Sequence, residues 1–262
     1  MRRTIISLVA VAAGALALAL PGAASAAPTV QFKAKAVPIA GFPHTGNIFG
    51  AGAAFESEFK ISGTEYGGFP PPLIHVNVYL PAGVKLHTSG FPTCPKSTLE
   101  PSGKGPKACS KAKAGPVGSV QGFVAFGKEV VPESATIESF YAPGGGIQFY
   151  TTGHSPVSLE FLSKGHYTNL GGGGGFGPEL ITEVPLVETV PGAQDASVQH
   201  ITVQAGSAIK KGKEVIYYGR VPKKGQCPKG GFNIKAEFMF AGLGGLSPAT
   251  VPVSYKAPCP KH

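Results

Sequence analysis

Short segments in which apolar and polar residues alternate recur along the chain, and this pattern limits the fold more than any other feature. The clearest places every second residue on one apolar face: Phe232, Ile234, Ala236, Phe238 and Phe240. Alternation with period two is typical of a half-buried strand, and about a dozen segments show it. The chain contains 38 Gly and 25 Pro, which supply the turns between them. No segment repeats apolar residues at the spacing of a helix.

These strands predict an all-β fold. We interpret it as a two-sheet antiparallel β-sandwich of the Greek-key or jelly-roll type, with Gly- and Pro-rich loops and little helix. We expect one large β domain over residues 27–262. The alternative is two β domains divided near residues 144–146, because each half would then hold one pair of cysteines.

The four cysteines are Cys94, Cys109, Cys227 and Cys259. Cysteines of an exported protein are normally oxidised, and four of them allow three pairings. We predict the most local set, Cys94 with Cys109 and Cys227 with Cys259. The first disulfide closes a loop of about 15 residues, which contributes roughly 3 kcal/mol in the chain-entropy model. A zinc site is the alternative, but neither cysteines nor histidines are spaced as metal ligands, so we expect no metal.

The segment 90–120, which contains two of these cysteines, is predicted to be a long exposed loop on the β-scaffold. It holds the densest group of lysines after the N-terminus: Lys96, Lys104, Lys107, Lys111 and Lys113. Only Glu100 opposes them within the segment. These lysines are therefore the candidate contacts for an anionic ligand, although a solvated, disulfide-closed loop is the simpler interpretation.

The N-terminus indicates where the protein is sent. Arg2 and Arg3 precede an apolar run over residues 5–20, and residues 24–26 have the small-x-small form that signal peptidase cleaves. Residues 1–26 are therefore predicted to be a signal peptide, and the mature protein is expected to be secreted or extracellular and associated with the cell surface. The apolar run is short for a membrane anchor, and we expect no membrane span after cleavage.

The charge balance favours some partners over others. The formal net charge is +9, but Arg220 is the only arginine after residue 3. Proteins that read nucleic acids usually use arginine for bidentate contacts with phosphate or guanine, so we expect no nucleic-acid partner. A lysine-rich exported chain is more typical of a solvated surface, or of attraction to an anionic envelope polymer or polysaccharide.

Several short motifs resemble those of a group of secreted, uncharacterised actinobacterial β-sandwich-like proteins. The motifs are LPAGV (80–84), GFPTCP (90–95), GPVGSV (115–120), QCPKGGF (226–232) and PCP (258–260). The resemblance covers most of the chain from about residue 73. It implies export, a β-fold and Cys-Pro pairs that form disulfides. It implies no activity and transfers no functional residue.

No recognisable catalytic motif is present, so we predict a non-catalytic protein without a cofactor. Ser155, Asp195 and His200 follow the chain order of α/β-hydrolase triads, but that fold needs helices that the pattern does not predict. The chain has no Trp for a carbohydrate-binding platform. Tyr217 and Tyr218 are the candidate aromatic contacts, because successive strand residues alternate and one ring must face outward.

Three functions remain open. The first is an exported β-sandwich with a binding or structural role at the cell envelope, which the absence of catalytic motifs favours. The second is a secreted hydrolase whose site combines dispersed Glu, His and Ser side chains. The third is a carrier that holds an apolar small ligand between the sheets, lined by some of the 16 Phe. A cleft of titratable groups would favour the hydrolase, and an enclosed apolar cavity would favour the carrier.

Overall fold

The computed structural model covers most of the chain after the predicted signal peptide. The described residues are 27–42, 51–126, 129–155, 157–170, 173–223 and 227–259. The predicted signal peptide, residues 1–26, lies outside them. Strands account for 56% of the residues and helices for 8%, which confirms the all-β prediction. None of the helices in the described ranges has the length and apolar character needed to cross a membrane.

The strands follow the alternating segments closely. They are β1 (Thr29–Val37), β2 (Ala54–Ser62), β3 (Leu73–Pro81), β4 (Lys85–Leu86), β5 (Gly118–Phe126), β6 (Glu129–Tyr141), β7 (Ile147–Ser155), β8 (Leu159–Asn169), β9 (Phe176–Glu183), β10 (Ser197–Ala205), β11 (Ala208–Lys211), β12 (Glu214–Tyr217), β13 (Gly219–Arg220), β14 (Phe232–Phe240) and β15 (Ala249–Ala257). The helical segments are α1 (Lys96–Leu99) and 3₁₀ turns at Pro106–Ala112, Pro143–Gly145 and Gly173–Gly175.

Eleven of the described strands form one antiparallel sheet, in the order β1-β2-β10-β5-β6-β7-β8-β9-β3-β14-β15. Two short ribbons, β11-β12 and β13-β4, lie outside it. The two-sheet sandwich is therefore not confirmed, because one sheet curls until it is nearly barrel-shaped. The alternation of side chains shows which residues share a face, but it does not show which strands pair.

The two edges of the sheet meet without a backbone ladder. Neighbouring strands alternate in direction, and the number of strands is odd, so β1 and β15 point the same way where they approach each other. The backbone pairings found for the described residues join β1 only to β2 and β15 only to β14. Side chains close this seam instead: the ring centroids of Phe32 and Tyr255, on opposite sides of it, are 6.5 Å apart.

Four connections join strands that are not neighbours, and the strand directions fix the end of the sheet that each one crosses. We call the end where β3 finishes and β14 begins the upper end. Residues 82–117 and the described part of residues 206–231 connect strands at the upper end, whereas residues 63–72 and 184–196 connect strands at the lower end. Connections of the chain therefore lie at both ends of the curved sheet.

The core occupies this interior. On β14 the predicted apolar face is buried, and Phe238 is fully buried. The matching face of β2 contributes Phe59 and Ile61, which are also buried. The sheet is continuous across residues 144–146, because β6 and β7 pair on either side of that turn. No observation tests the number of domains, which stays a prediction.

Phe238 holds the two edges of the sheet together. Its ring centroid lies 5.0 Å from that of Phe59 and 6.2 Å from that of Phe32, so one side chain on β14 contacts both β1 and β2 across the seam. Aromatic pairs of this kind contribute roughly 0.5–1.5 kcal/mol beyond the burial of their surface.

Replacing this ring tests the closure of the sheet. We expect Phe238→Ala to lower the free energy of unfolding by about 3–5 kcal/mol, because a buried ring is lost between strands that no ladder joins. Met239→Ala, on the outward face of the same strand, is the matched control and should cost less than about 2 kcal/mol. Urea denaturation measures both values. Equal losses for the two variants would contradict this role of Phe238.

Candidate functional site

The interior of the curved sheet contains a cavity of about 460 Å³. Its wall is mainly apolar and includes Val76, Val78, Phe149, Leu180, Ile201 and Val203. These side chains come from the inward faces of β3, β7, β9 and β10, where alternate residues point to the same side. The cavity therefore lies within the sheet, between walls built by strands that are far apart in sequence.

Very little charge reaches this space. The charged residues among the described lining residues are Lys35 and Arg220, and both are exposed. Lys35 lies on the outward phase of β1, and its Nζ is 2.8 Å from Oε1 of Glu56. Arg220 forms an isolated β-bridge with Gly52 at the upper end, and its guanidinium lies 5.5 Å from the ring centroid of Tyr217. The deeper part of the cavity presents only neutral groups.

A cluster of aromatic rings covers part of the upper end. The rings of Tyr141 and Tyr218 are stacked with centroids 4.3 Å apart, and Phe91 lies 5.0 Å from the first and 5.4 Å from the second. The hydroxyl of Tyr218 donates to the carbonyl oxygen of Gly145 at 2.9 Å. The hydroxyls of Tyr141 and Ser207 are 2.8 Å apart. Every ring is thus held in place by packing or by a hydrogen bond.

Burial controls the ionisation of these tyrosines. It raises the pKa of Tyr141 to about 12. It also raises the pKa of Tyr218, with a further contribution from the nearby Tyr141, and that of Tyr167, which lines the cavity beneath them. A phenol in an apolar site keeps its proton because the phenolate would lose its hydration. The cluster is therefore neutral over the physiological pH range.

The lower end is closed by residues 63–72, which run from β2 to β3. Pro70 and Pro72 are fully buried, and the ring of Phe69 packs 5.6 Å from that of Phe123 on β5. The hydroxyl of Ser197, at the start of β10, donates to the carbonyl oxygen of Pro70. This segment contacts strands on different parts of the wall and seals the interior from below.

The predicted disulfides are both present, Cys94 with Cys109 and Cys227 with Cys259. Two disulfides indicate an oxidising environment. The second disulfide lies at the upper end, and Cys259 lines the cavity.

The lysine-bearing loop lies against the outer face of the sheet. Cys94, Leu99 and Cys109 are buried in a small apolar cluster with residues of β6, β7 and β8. The sheet contributes Phe140, Tyr150 and Leu162. The loop therefore packs against the sheet along its length. The sequence predicted a loop that is exposed and did not predict this packing.

Backbone and side-chain hydrogen bonds fix this loop to the sheet. The amide of Cys94 donates to the carbonyl oxygen of Tyr141, and Nε2 of Gln148 donates to the carbonyl oxygen of Cys94, both at 2.8 Å. The amide of Ala114 donates to the carbonyl oxygen of Ser139 at 2.8 Å.

The five loop lysines are exposed on top of this packed segment. Lys96 lies 3.7 Å from Glu100, and Lys113 forms an ion pair with Glu138 on β6. Lys104, Lys107 and Lys111 form no ion pair with a described carboxylate. No observation tests a role for these lysines in binding.

The two candidate tyrosines face opposite ways, as the alternation requires. Tyr218 is buried in the aromatic cluster, whereas Tyr217 packs on the outside against Gly52 and Phe42. A side chain at Gly52 would collide with the Tyr217 ring, so a glycine is needed there. Tyr217 is partly covered and is not a free platform.

The dispersed residues of the hydrolase hypothesis lie on different parts of the sheet. Ser155 pairs with Ser134 as the last residue of β7, which is strand rather than a strand–helix elbow. His200 on β10 is 3.1 Å from Oε1 of Glu58 on the outer face, whereas the amide of Asp195 contacts the hydroxyl of Tyr66 at the lower end. In the part of the chain that the structure describes, no three His, Cys, Asp or Glu residues are grouped to hold a metal.

Sequence reasoning missed the polar residues of the interior. Ser57, Thr151, Ser163 and Thr182 occupy inward positions and line the cavity. The alternation pattern contains a signal for these four residues, because each of them stands at a strand position where an apolar residue is expected. A polar residue on the apolar phase of a strand is informative because it is buried without the usual hydrophobic gain.

Comparison with known proteins does not assign this chain to a family. No protein-family model, curated protein or solved structure matches this chain. The resemblance to secreted actinobacterial proteins therefore stays a prediction.

The tyrosine cluster predicts loss of stability in alkali. Below pH 10 both the folded and the unfolded states are protonated at Tyr141. Between about pH 10 and 12 the unfolded state loses the proton first, because folding raises the pKa, so stability falls as pH rises. A pKa difference of about two units between the folded and unfolded states corresponds to about 3 kcal/mol of folding free energy for this residue. We expect Tyr141→Phe to show a shallower decline in urea-denaturation free energies from pH 9 to 12, and an unchanged slope would contradict the assignment.

Proposed function

We propose that this protein is an exported, non-catalytic carrier that binds one small apolar molecule inside its curved sheet. The observation that carries the proposal is the apolar cavity of about 460 Å³. Pockets that bind small molecules typically measure about 300–1,000 Å³ and are lined mainly by apolar side chains with a few polar groups. The predicted signal peptide and the two disulfides support export.

The unfilled apolar interior supports a bound ligand. The chain has 16 Phe with which to fill the space, and it leaves the space open. An apolar guest would restore the missing dispersion contacts.

The upper end supplies the entrance for the ligand. Ala36, Phe55, Val84 and Leu86 line the cavity there and are only partly buried. The two-residue ribbon of β4 and β13 lies beside this opening. A ligand entering here meets apolar side chains before it reaches the interior.

The binding test uses the fluorescent probe N-phenyl-1-naphthylamine, whose emission rises in an apolar site. The protein has no Trp, so its own emission interferes little. We expect the wild-type protein to bind the probe, and Val203→Phe to bind it about tenfold more weakly because the larger side chain enters the cavity.

Thr202→Phe is the matched control, since it makes a similar change on the outward face of the same strand. It should bind the probe like the wild-type protein. The carrier proposal is wrong if the wild-type protein does not bind the probe, or if Val203→Phe binds it with unchanged affinity in a folded state verified by circular dichroism.

A second candidate is attachment to an anionic envelope polymer through the loop lysines. Lys104, Lys107 and Lys111 are exposed and form no ion pair with a described carboxylate, which favours attraction to an external anion. This role is compatible with ligand binding in the interior, because the loop lies on the outer face of the sheet.

Affinity electrophoresis in alginate tests this second role. Replacing Lys104, Lys107 and Lys111 together with Gln should abolish most of the retardation at low salt, and high salt should abolish it in the wild-type protein. Replacing Lys210, Lys211 and Lys213 with Gln removes the same charge elsewhere and is the control. Equal effects of the two triple variants would show that only net charge matters.

A further inference from the structure

Three hydroxyl-bearing side chains form a strip on one wall of the cavity. Thr151 on β7, Ser163 on β8 and Thr182 on β9 point inward and are 2%, 6% and 8% exposed. These strands are consecutive in the sheet. Most of the remaining inward positions of the same wall are apolar or glycine, and Tyr167 on β8 adds a further hydroxyl group.

The register places the three hydroxyls along one diagonal of the wall, with Ser163 between the other two. Thr151 lies opposite Phe161 and Ser163 lies opposite Phe149, which makes Thr151 and Ser163 diagonal neighbours. Thr182 lies opposite Gly165, two residues along β8 from Ser163. A Cβ at Gly165 would come within 3.3 Å of Oγ1 of Thr182, so the glycine leaves this hydroxyl uncovered.

These hydroxyls have no hydrogen-bond partner among the described residues. No hydrogen bond joins the side chains of Thr151, Ser163 or Thr182 to another described residue, although other hydroxyls of the sheet are satisfied. Oγ of Ser139, for example, donates to the carbonyl oxygen of Gln204 at 2.9 Å. Buried polar side chains are nearly always hydrogen-bonded. None of these three oxygens is among the fully enclosed unpaired atoms of the described residues, so each reaches the open space of the cavity. Three such hydroxyls on one wall indicate a site for an external polar atom.

The surroundings of the strip select a neutral group. The charged side chains among the described lining residues, Lys35 and Arg220, lie at the upper end, whereas Thr182 is the second-last residue of β9, near the lower end. A carboxylate or ammonium group buried there would lose its hydration. The buried carboxylate of Glu133, beside Gly153 on the same face, already accepts a hydrogen bond from the amide of Val157 at 3.1 Å. A hydroxyl, ketone or ester oxygen needs only the hydrogen bonds that the strip supplies.

We propose, building on the carrier function, that the ligand is a neutral lipophile with an alcohol, ketone or ester oxygen that hydrogen-bonds to Ser163 and to one of its diagonal neighbours, Thr151 or Thr182. The apolar wall accepts the hydrocarbon part of the ligand, and the hydroxyl strip fixes its orientation. The strip gives specificity for an oxygenated molecule over a hydrocarbon of equal length.

The test compares two probes that differ in one oxygen. 2-Tridecanone and tridecane are titrated as competitors against bound N-phenyl-1-naphthylamine, with dodecanoate as a charged competitor. We expect the wild-type protein to bind the ketone about tenfold more tightly than the alkane, and dodecanoate more weakly than the ketone. The combined variant Thr151→Val/Ser163→Ala/Thr182→Val should bind both neutral probes with nearly equal affinity. Thr152→Val, on the outward face of β7, should keep the wild-type preference.

The outcomes separate this inference from the carrier function. If the wild-type protein binds tridecane and 2-tridecanone equally, or prefers dodecanoate, the ligand class is wrong and the apolar cavity remains a binding site. If no probe binds, the carrier function itself is wrong. The melting temperature gives a second measurement: we expect the combined variant to melt no lower than the wild-type protein, because unpaired hydroxyls are removed. A decrease of several degrees would show that the hydroxyls support the fold and would overturn the inference.

Discussion

The structure depends on the packing of Phe238 against the strands on the other side of the seam. An odd number of antiparallel strands brings two edges together that point the same way, and no ladder joins β1 to β15 in the described residues. Without Phe32, Phe59 and Phe238 in contact, the sheet would be an open, strongly twisted surface with one apolar face in water. Side-chain contacts thus perform here the role that hydrogen bonds perform in a fully closed sheet.

Closure of the sheet and closure of its ends have different causes. The seam is closed by side chains, whereas the ends are closed by the order of the strands, because four connections must cross from one part of the wall to another. A sheet of about eight strands has an interior that side chains fill, and each further strand widens it. Eleven strands with small inward residues such as Ala36 and Ala205 leave a cavity between them.

The sequence predicts the faces of the strands well and their arrangement poorly. The inward positions of β14 follow directly from alternation, and the disulfide between Cys94 and Cys109 follows from their proximity in sequence. Alternation cannot show that β2 pairs with β10, about 140 residues away, since pairing depends on three-dimensional complementarity. A single curved sheet and a two-sheet sandwich therefore produce the same pattern. The hydroxyl strip was equally hidden, because Thr151, Ser163 and Thr182 become neighbours only through the strand order.

The position of the disulfide-closed loop gives it a second, structural role. It buries the outer face of β7 and β8 through Tyr150 and Leu162, while the inner face of the same strands carries Thr151 and Ser163. Strands covered on both faces are held more rigidly than strands with one face in water. A hydrogen-bonding site gains affinity when its groups are fixed before the ligand arrives. The loop that the sequence marks as a surface for anions therefore also supports, from outside, the wall that we assign to ligand recognition.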